Sequence, residues 1–213
     1  MDVFTHALEA CVSTDRNDFA TALAEKAIEI CGVFLLRAYL DGSDTHARQK
    51  MHSASCLAGL AFNSASLGLN HGMAHQLGAT FHIPHGRANA MLLPHIIEFN
   101  SDINKHSKSQ AKYLPAVERY KTVARILGLS SYNTIMTVRN LVNWVQFMLK
   151  EMDIPLSISQ MGKISKEEYF AEIERMAEAA LVGWMYRNQS KSAKQGRCHE
   201  DLRKSLVKTE KRM

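Results

Sequence analysis

The stretch Leu67-Gly68-Leu69-Asn70-His71-Gly72-Met73-Ala74-His75-Gln76-Leu77-Gly78 decides how the rest of this chain is read, together with Ile83-Pro84-His85-Gly86 just after it. His71 and His75 are four residues apart, which puts both imidazoles on one helix face, one turn from each other. Their neighbours are small or apolar, so the spacing predicts a short helix over residues 71–77. The Pro84 break then ends one element and starts another. A helix resumes over about residues 87–99, with Pro94 as a kink point. His85 thus follows His75 by ten residues, at a Pro-His-Gly turn.

Outward from that stretch the pattern stays helical. Helices are expected over about residues 1–12 and 17–39, the second carrying Phe19, Leu23, Ala27, Ile30 and Phe34 at helical spacing and ending at Asp41-Gly42. Asp44 is placed to cap a third, over residues 45–67, whose face is mostly small: Ala47, Ser53, Ala54, Ala58, Gly59 and Ala61. Further amphipathic helices are expected over residues 113–127 and 134–152. Ser165-Lys166-Glu167-Glu168 has the form of a capping box and opens a last helix to about Leu181. No strand-like alternation and no internal repeat appear. The fold class is all-α, in one multi-helical domain over residues 1–181.

Charge divides the chain at the same point. Residues 182–213 hold nine Lys/Arg against three acids, net +6, which leaves 17 bases and 18 acids, net −1, in residues 1–181. The basic balance therefore belongs to the tail, expected to be poorly ordered or marginally helical. The body has no basic footprint for nucleic acid, and no apolar run approaches the roughly 18 residues that span a membrane. Cys11, Cys31, Cys56 and Cys198 lie far apart with no paired spacing, as expected of free thiols in a reducing compartment. The start lacks the basic and apolar blocks of a secretory signal. These features lead to an expectation of a cytoplasmic protein.

The chemistry rests on placement. Asp2 and His6 repeat the one-turn spacing of His71 and His75, and His85 follows at a Pro-His-Gly turn. Taken alone, each pair is more often a solvated face than a metal site. Together, imidazole and carboxylate suit a divalent transition metal, iron or zinc, between which spacing does not choose. His46, His52, His82, His95, His106 and His199 are read as structural or exposed, with His52 and His82 nearest the cleft.

Met1-Asp2-Val3-Phe4-Thr5-His6-Ala7-Leu8-Glu9-Ala10 resembles the first ligand motif of the iron-containing, group III alcohol dehydrogenases. The stretch over residues 67–78, followed by Ile83-Pro84-His85-Gly86-Arg87-Ala88-Asn89-Ala90, is similar to that family's long histidine signature, and residues 50–63 resemble it too. The flavour is that of bacterial propanol, ethanol and lactaldehyde reductases. The resemblance covers about residues 1–181 and implies the multi-helical domain of the dehydroquinate-synthase-like type. It implies that Asp2, His6, His71 and His85 bind the metal, and that His75 sits near substrate and nicotinamide and relays a proton. It also implies NAD(P)-linked interconversion of a small primary alcohol and its aldehyde, in a homo-oligomer or with a separate nucleotide-binding domain.

The family's nucleotide-binding domain precedes the helical one, and no glycine-rich dinucleotide fingerprint occurs in this sequence. The chain thus reads as a fragment whose tail from Val182 is not of family type. The rival expectation is a non-catalytic helical fragment that keeps metal binding or dimerisation. Nucleic-acid binding through the tail is weaker, because only Trp184 and Tyr186 interleave its charges.

Overall fold

The computed structural model describes residues 1–103 and 115–187, with side chains through residue 182. The helix start expected at Tyr113, and most of the basic tail, lie outside the described residues. Every regular element among the described residues is helical. They are α1 (Asp2–Val12), α2 (Asp18–Leu40), α3 (Thr45–Ala65), α4 (Leu69–Phe81), α5 (His85–Asn100), α6 (Pro115–Ile126), α7 (Thr134–Glu151) and α8 (Lys166–Arg187), plus a 3-10 turn at Ser159–Met161.

The starts of α2, α3, α7 and α8 follow from short polar side chains that accept the otherwise unpaired first amide N–H groups. Asn17 accepts from the Ala20 amide at 2.9 Å, and Asp44 from the Ala47 amide at 2.9 Å. At α8 the bonds are reciprocal. The Glu168 amide donates to Ser165 Oγ at 3.2 Å while the Ser165 amide donates to Glu168 Oε2 at 2.9 Å.

Several boundaries differ from the periodicity: α3 ends at Ala65 and α4 begins at Leu69, each two residues earlier than expected. Helix α4 passes Gly78 and runs to Phe81. A glycine costs a helix roughly 1 kcal/mol, and the seating of the Phe81 ring 6.1 Å from that of Tyr169 offsets it. His82 then closes the helix in a left-handed conformation, φ 54°, its amide donating to the Gly78 carbonyl. Helix α5 begins at His85, with Pro84 at its N-cap, and keeps Pro94 inside. Helix α8 continues beyond Leu181 to Arg187.

Two apolar clusters hold the helices. One joins α1, α2, α3, α6 and α7 through residues such as Phe4, Leu8, Ile28, Tyr120, Leu141 and Leu149. The other joins α4 and α8 through Met73, Leu77, Tyr169, Ile173 and Met176. Helix α5 belongs to both. Its Ala90, Leu93 and Ile97 face the first cluster, and its Met91, Leu92 and Ile96 face the second. Being apolar nearly all round, it is the buried central helix. Its N-terminus, and the histidine there, is thereby fixed against α1 and α4.

Candidate metal centre

Helix α1 sets out Asp2, His6 and Glu9 on one stripe, α4 supplies His71 in its first turn, and α5 supplies His85 at its first residue. One ring nitrogen from each of His6, His71 and His85 comes within 4.8 Å of the other two. His71 Nε2 and His6 Nε2 are 3.1 Å apart. Asp2 Oδ1 lies 3.7 Å from His85 Nε2. Thus the four residues that the sequence separates by up to 83 positions share one corner of the fold. Gly86 makes this approach feasible: a Cβ there would sit 3.3 Å from that of Asp2.

Neighbouring groups fix which way the rings present their lone pairs. His6 Nδ1 lies 2.9 Å from the Asp2 carbonyl oxygen. That oxygen can only accept, so Nδ1 carries the proton and Nε2 a lone pair. His71 Nδ1 donates to the buried Glu9 carboxylate, so its Nε2 also carries a lone pair. These two lone pairs face each other, with the Asp2 carboxylate alongside. Asn89 Nδ2 approaches three of the acceptors, at 2.8 Å from Asp2 Oδ1 and 3.0 Å from both His71 Nε2 and His85 Nε2. Asn70 orients that amide by donating to Asn89 Oδ1 at 2.9 Å. An amide has two hydrogens. The corner therefore holds more acceptors than donors, and a divalent cation fits that deficit.

Burial grades across the corner. The His71 side chain is 2% exposed, that of His85 43% and that of Asp2 36%. Burial, and then the neighbouring His71, hold the His6 pKa below the ordinary histidine value. The corner opens on the Asp2–His85 side, where an exogenous oxygen can enter. His75 is exposed and stacks on His85, ring centroids 5.3 Å apart at 24°, and lies 6.1 Å from the His71 ring. Phe62, 4.8 Å from the His6 ring, forms an apolar wall. His46 lies outside the corner, edge-on to Phe34 at 5.3 Å.

A family model described as Fe-containing alcohol dehydrogenase family, C-terminal, matches residues 1–206. This chain belongs to that family. The 1-propanol dehydrogenase PduQ of Citrobacter freundii is 41% identical over 182 residues, which is 85% of this chain and 47% of that protein. The NADPH-dependent butanol dehydrogenase of Clostridium saccharobutylicum is 39% identical over 181 residues, 85% of this chain and 43% of that one. Among solved structures, the alcohol dehydrogenase from Oenococcus oeni superposes with a TM-score of 0.80 at 32% identity, over 98% of this chain and 50% of that one. The chain therefore spans about half the length of these relatives. The family match also reaches past residue 182 into the basic segment.

Two site residues escaped the reading of the sequence as chemistry, although both lie inside the quoted iron-dependent dehydrogenase motifs. Glu9 sits one turn beyond His6 on the same face of α1, a signal that a third polar residue on the stripe could have given. Asn89 stands four residues after His85, at the same spacing as the histidine pairs.

Proposed function

We propose that this chain is the metal-binding part of an NAD(P)-linked alcohol dehydrogenase that interconverts a small primary alcohol and its aldehyde. Asp2, His6, His71 and His85 hold one divalent ion, iron(II) or zinc. The observation that carries this is the meeting of the His6 and His71 lone pairs beside the Asp2 carboxylate. The relatives named for butanol and 1-propanol support a short alkyl substrate.

In this reading Glu9 and the Asp2 carbonyl hold two imidazoles in the tautomer that offers Nε2 inward. Asn89 steadies Asp2 through its Oδ1. The open side by His85 admits the substrate oxygen, and Phe62 keeps water off the His6 edge. His75, exposed beside His85, carries the proton between substrate oxygen and solvent. A bound divalent ion supplies Lewis acidity to that oxygen, and hydride chemistry belongs to a nicotinamide held by a nucleotide-binding domain. The free Cys11, Cys31 and Cys56 support a reducing, cytoplasmic setting. No described helix is long and apolar enough to cross a membrane.

The test pairs the full chain with the separately expressed nucleotide-binding domain of the Citrobacter freundii relative. With iron(II) and propanal or butanal, the pair should oxidise NADH or NADPH. His75→Ala should lower kcat by about 10²-fold or more, as loss of a proton-transfer group does. A pair that assembles and binds NAD(P)H but shows no metal-dependent turnover contradicts the proposal.

A further inference from the structure

Helix α4 begins without a cap of its own. Its N-cap residue is Gly68, which has no side chain to accept the first amide N–H groups. Those donors are met from another helix. Glu9 of α1 accepts from the Asn70 amide through Oε1 at 2.8 Å and from the His71 amide through Oε2 at 3.3 Å. The same Oε2 accepts from His71 Nδ1. Glu9 is 3% exposed and His71 is 2% exposed. Gly68 is what lets the carboxylate in, since a Cβ there would stand 2.7 Å from Glu9 Oε1. One buried carboxylate thus serves three N–H donors on both of its oxygens, in a contact that spans 62 residues of sequence.

We propose that Glu9 is a positioning residue that locks α4 to α1 and fixes His71 as an Nδ1–H tautomer, so that Nε2 is free for a divalent metal. This deepens the metal-site reading and rests on it. The contact has two separable parts. The cap on α4 needs any acceptor near the Asn70 and His71 amides. The tautomer lock needs an acceptor at Nδ1. Only a carboxylate provides both at once. A carboxamide has one acceptor atom, so in Glu9→Gln its NH2 group must face one of the three donors, or turn the His71 ring to the other tautomer and place a proton on Nε2.

The experiment uses the full chain. Zinc(II) affinity is measured by calorimetry for wild type, Glu9→Gln, Glu9→Ala and the double variant Glu9→Ala with Gly68→Ser. In the double variant the new serine occupies the space that the carboxylate left. Its hydroxyl restores the cap, because Gly68 already has extended backbone, φ −105° and ψ −157°. Loss of an orienting partner typically weakens metal binding by about 10- to 100-fold. That loss is expected in Glu9→Ala, and a smaller one in Glu9→Gln, whose single acceptor oxygen can still meet Nδ1. In the double variant the thermal midpoint should recover while zinc affinity stays low.

A merely structural Glu9 would instead give affinity that recovers along with the midpoint, and that result overturns the proposal. So does Glu9→Ala with wild-type affinity. Side-chain ¹⁵N shifts of His71 in metal-free protein read the tautomer directly. Wild type should show Nδ1–H with a bare Nε2, and Glu9→Ala should show a gain of Nε2–H. If wild type binds no zinc, the metal reading has failed, yet the ¹⁵N shifts still decide the part played by Glu9. An unchanged tautomer in Glu9→Ala, which leaves Nδ1 without its acceptor, overturns it.

Discussion

At the scale of single residues, the corner depends on side chains that do not themselves face the lone pairs. Gly68→Ala illustrates this. The added methyl collides with Glu9 Oε1 at 2.7 Å. The carboxylate must swing out, which strips α4 of its cap and His71 of its partner. Overpacking of this kind costs about 1–3 kcal/mol, and urea denaturation should show it together with weakened zinc binding. A variant as stable as wild type, with unchanged zinc affinity, would mean that Glu9 relaxes freely. His6 yields a pH prediction. Burial lowers its folded pKa, so the unfolded chain binds a proton more readily there. Its contribution to stability is complete above the ordinary histidine value of about 6.5. It is lost as pH falls from there through the folded pKa. Urea midpoints of metal-free protein should therefore drop between neutral and mildly acidic pH, and the drop should shrink in His6→Gln. The histidines stood out as candidates because a spacing of four pairs Asp2 with His6 and His71 with His75, and the family resemblance added His85. Glu9 did not, because its partners lie 61 and 62 residues away and only packing reveals them.

At the scale of elements, helix existence was legible throughout the described residues, and boundaries were legible where a side chain made them. Asp44 caps α3 as its position in the sequence suggested, and the Ser165–Glu168 box opens α8. Where burial sets the boundary, local signals lose. The sequence pattern ends α4 at Leu77, yet the helix continues through Gly78 to Phe81, whose ring packs on Tyr169. Helix α4 also approaches α8 closely at Gly72, where a Cβ would lie 3.2 Å from the Ala180 carbonyl oxygen. Gly72→Val should push α8 away from α4 and destabilise the chain by about 1–3 kcal/mol. Amide hydrogen exchange should rise first around Tyr169, Ile173 and Met176, which line that seam. Exchange that rises instead in α2 and α3 would contradict this view of which cluster α4 holds.

At the scale of the whole molecule, the two apolar clusters meet at α5, and the histidine corner proposed to hold a metal sits where α5, α4 and α1 converge. Periodicity and composition were enough to give an all-helical fold. They could not show that α5 is shared between clusters, because a helix apolar on both faces looks the same in sequence as any buried helix. The convergence of Asp2, His6, His71 and His85 is a product of that shared helix, and it is the centre of the account. Anomalous scattering at the zinc absorption edge, from crystals of the full chain soaked in zinc(II), tests it most directly. The account predicts one strong peak about 2.0–2.2 Å from His6 Nε2, His71 Nε2, a ring nitrogen of His85 and an Asp2 carboxylate oxygen. A well-diffracting soaked crystal with no peak at that corner, or with its strongest peak elsewhere on the chain, would contradict it.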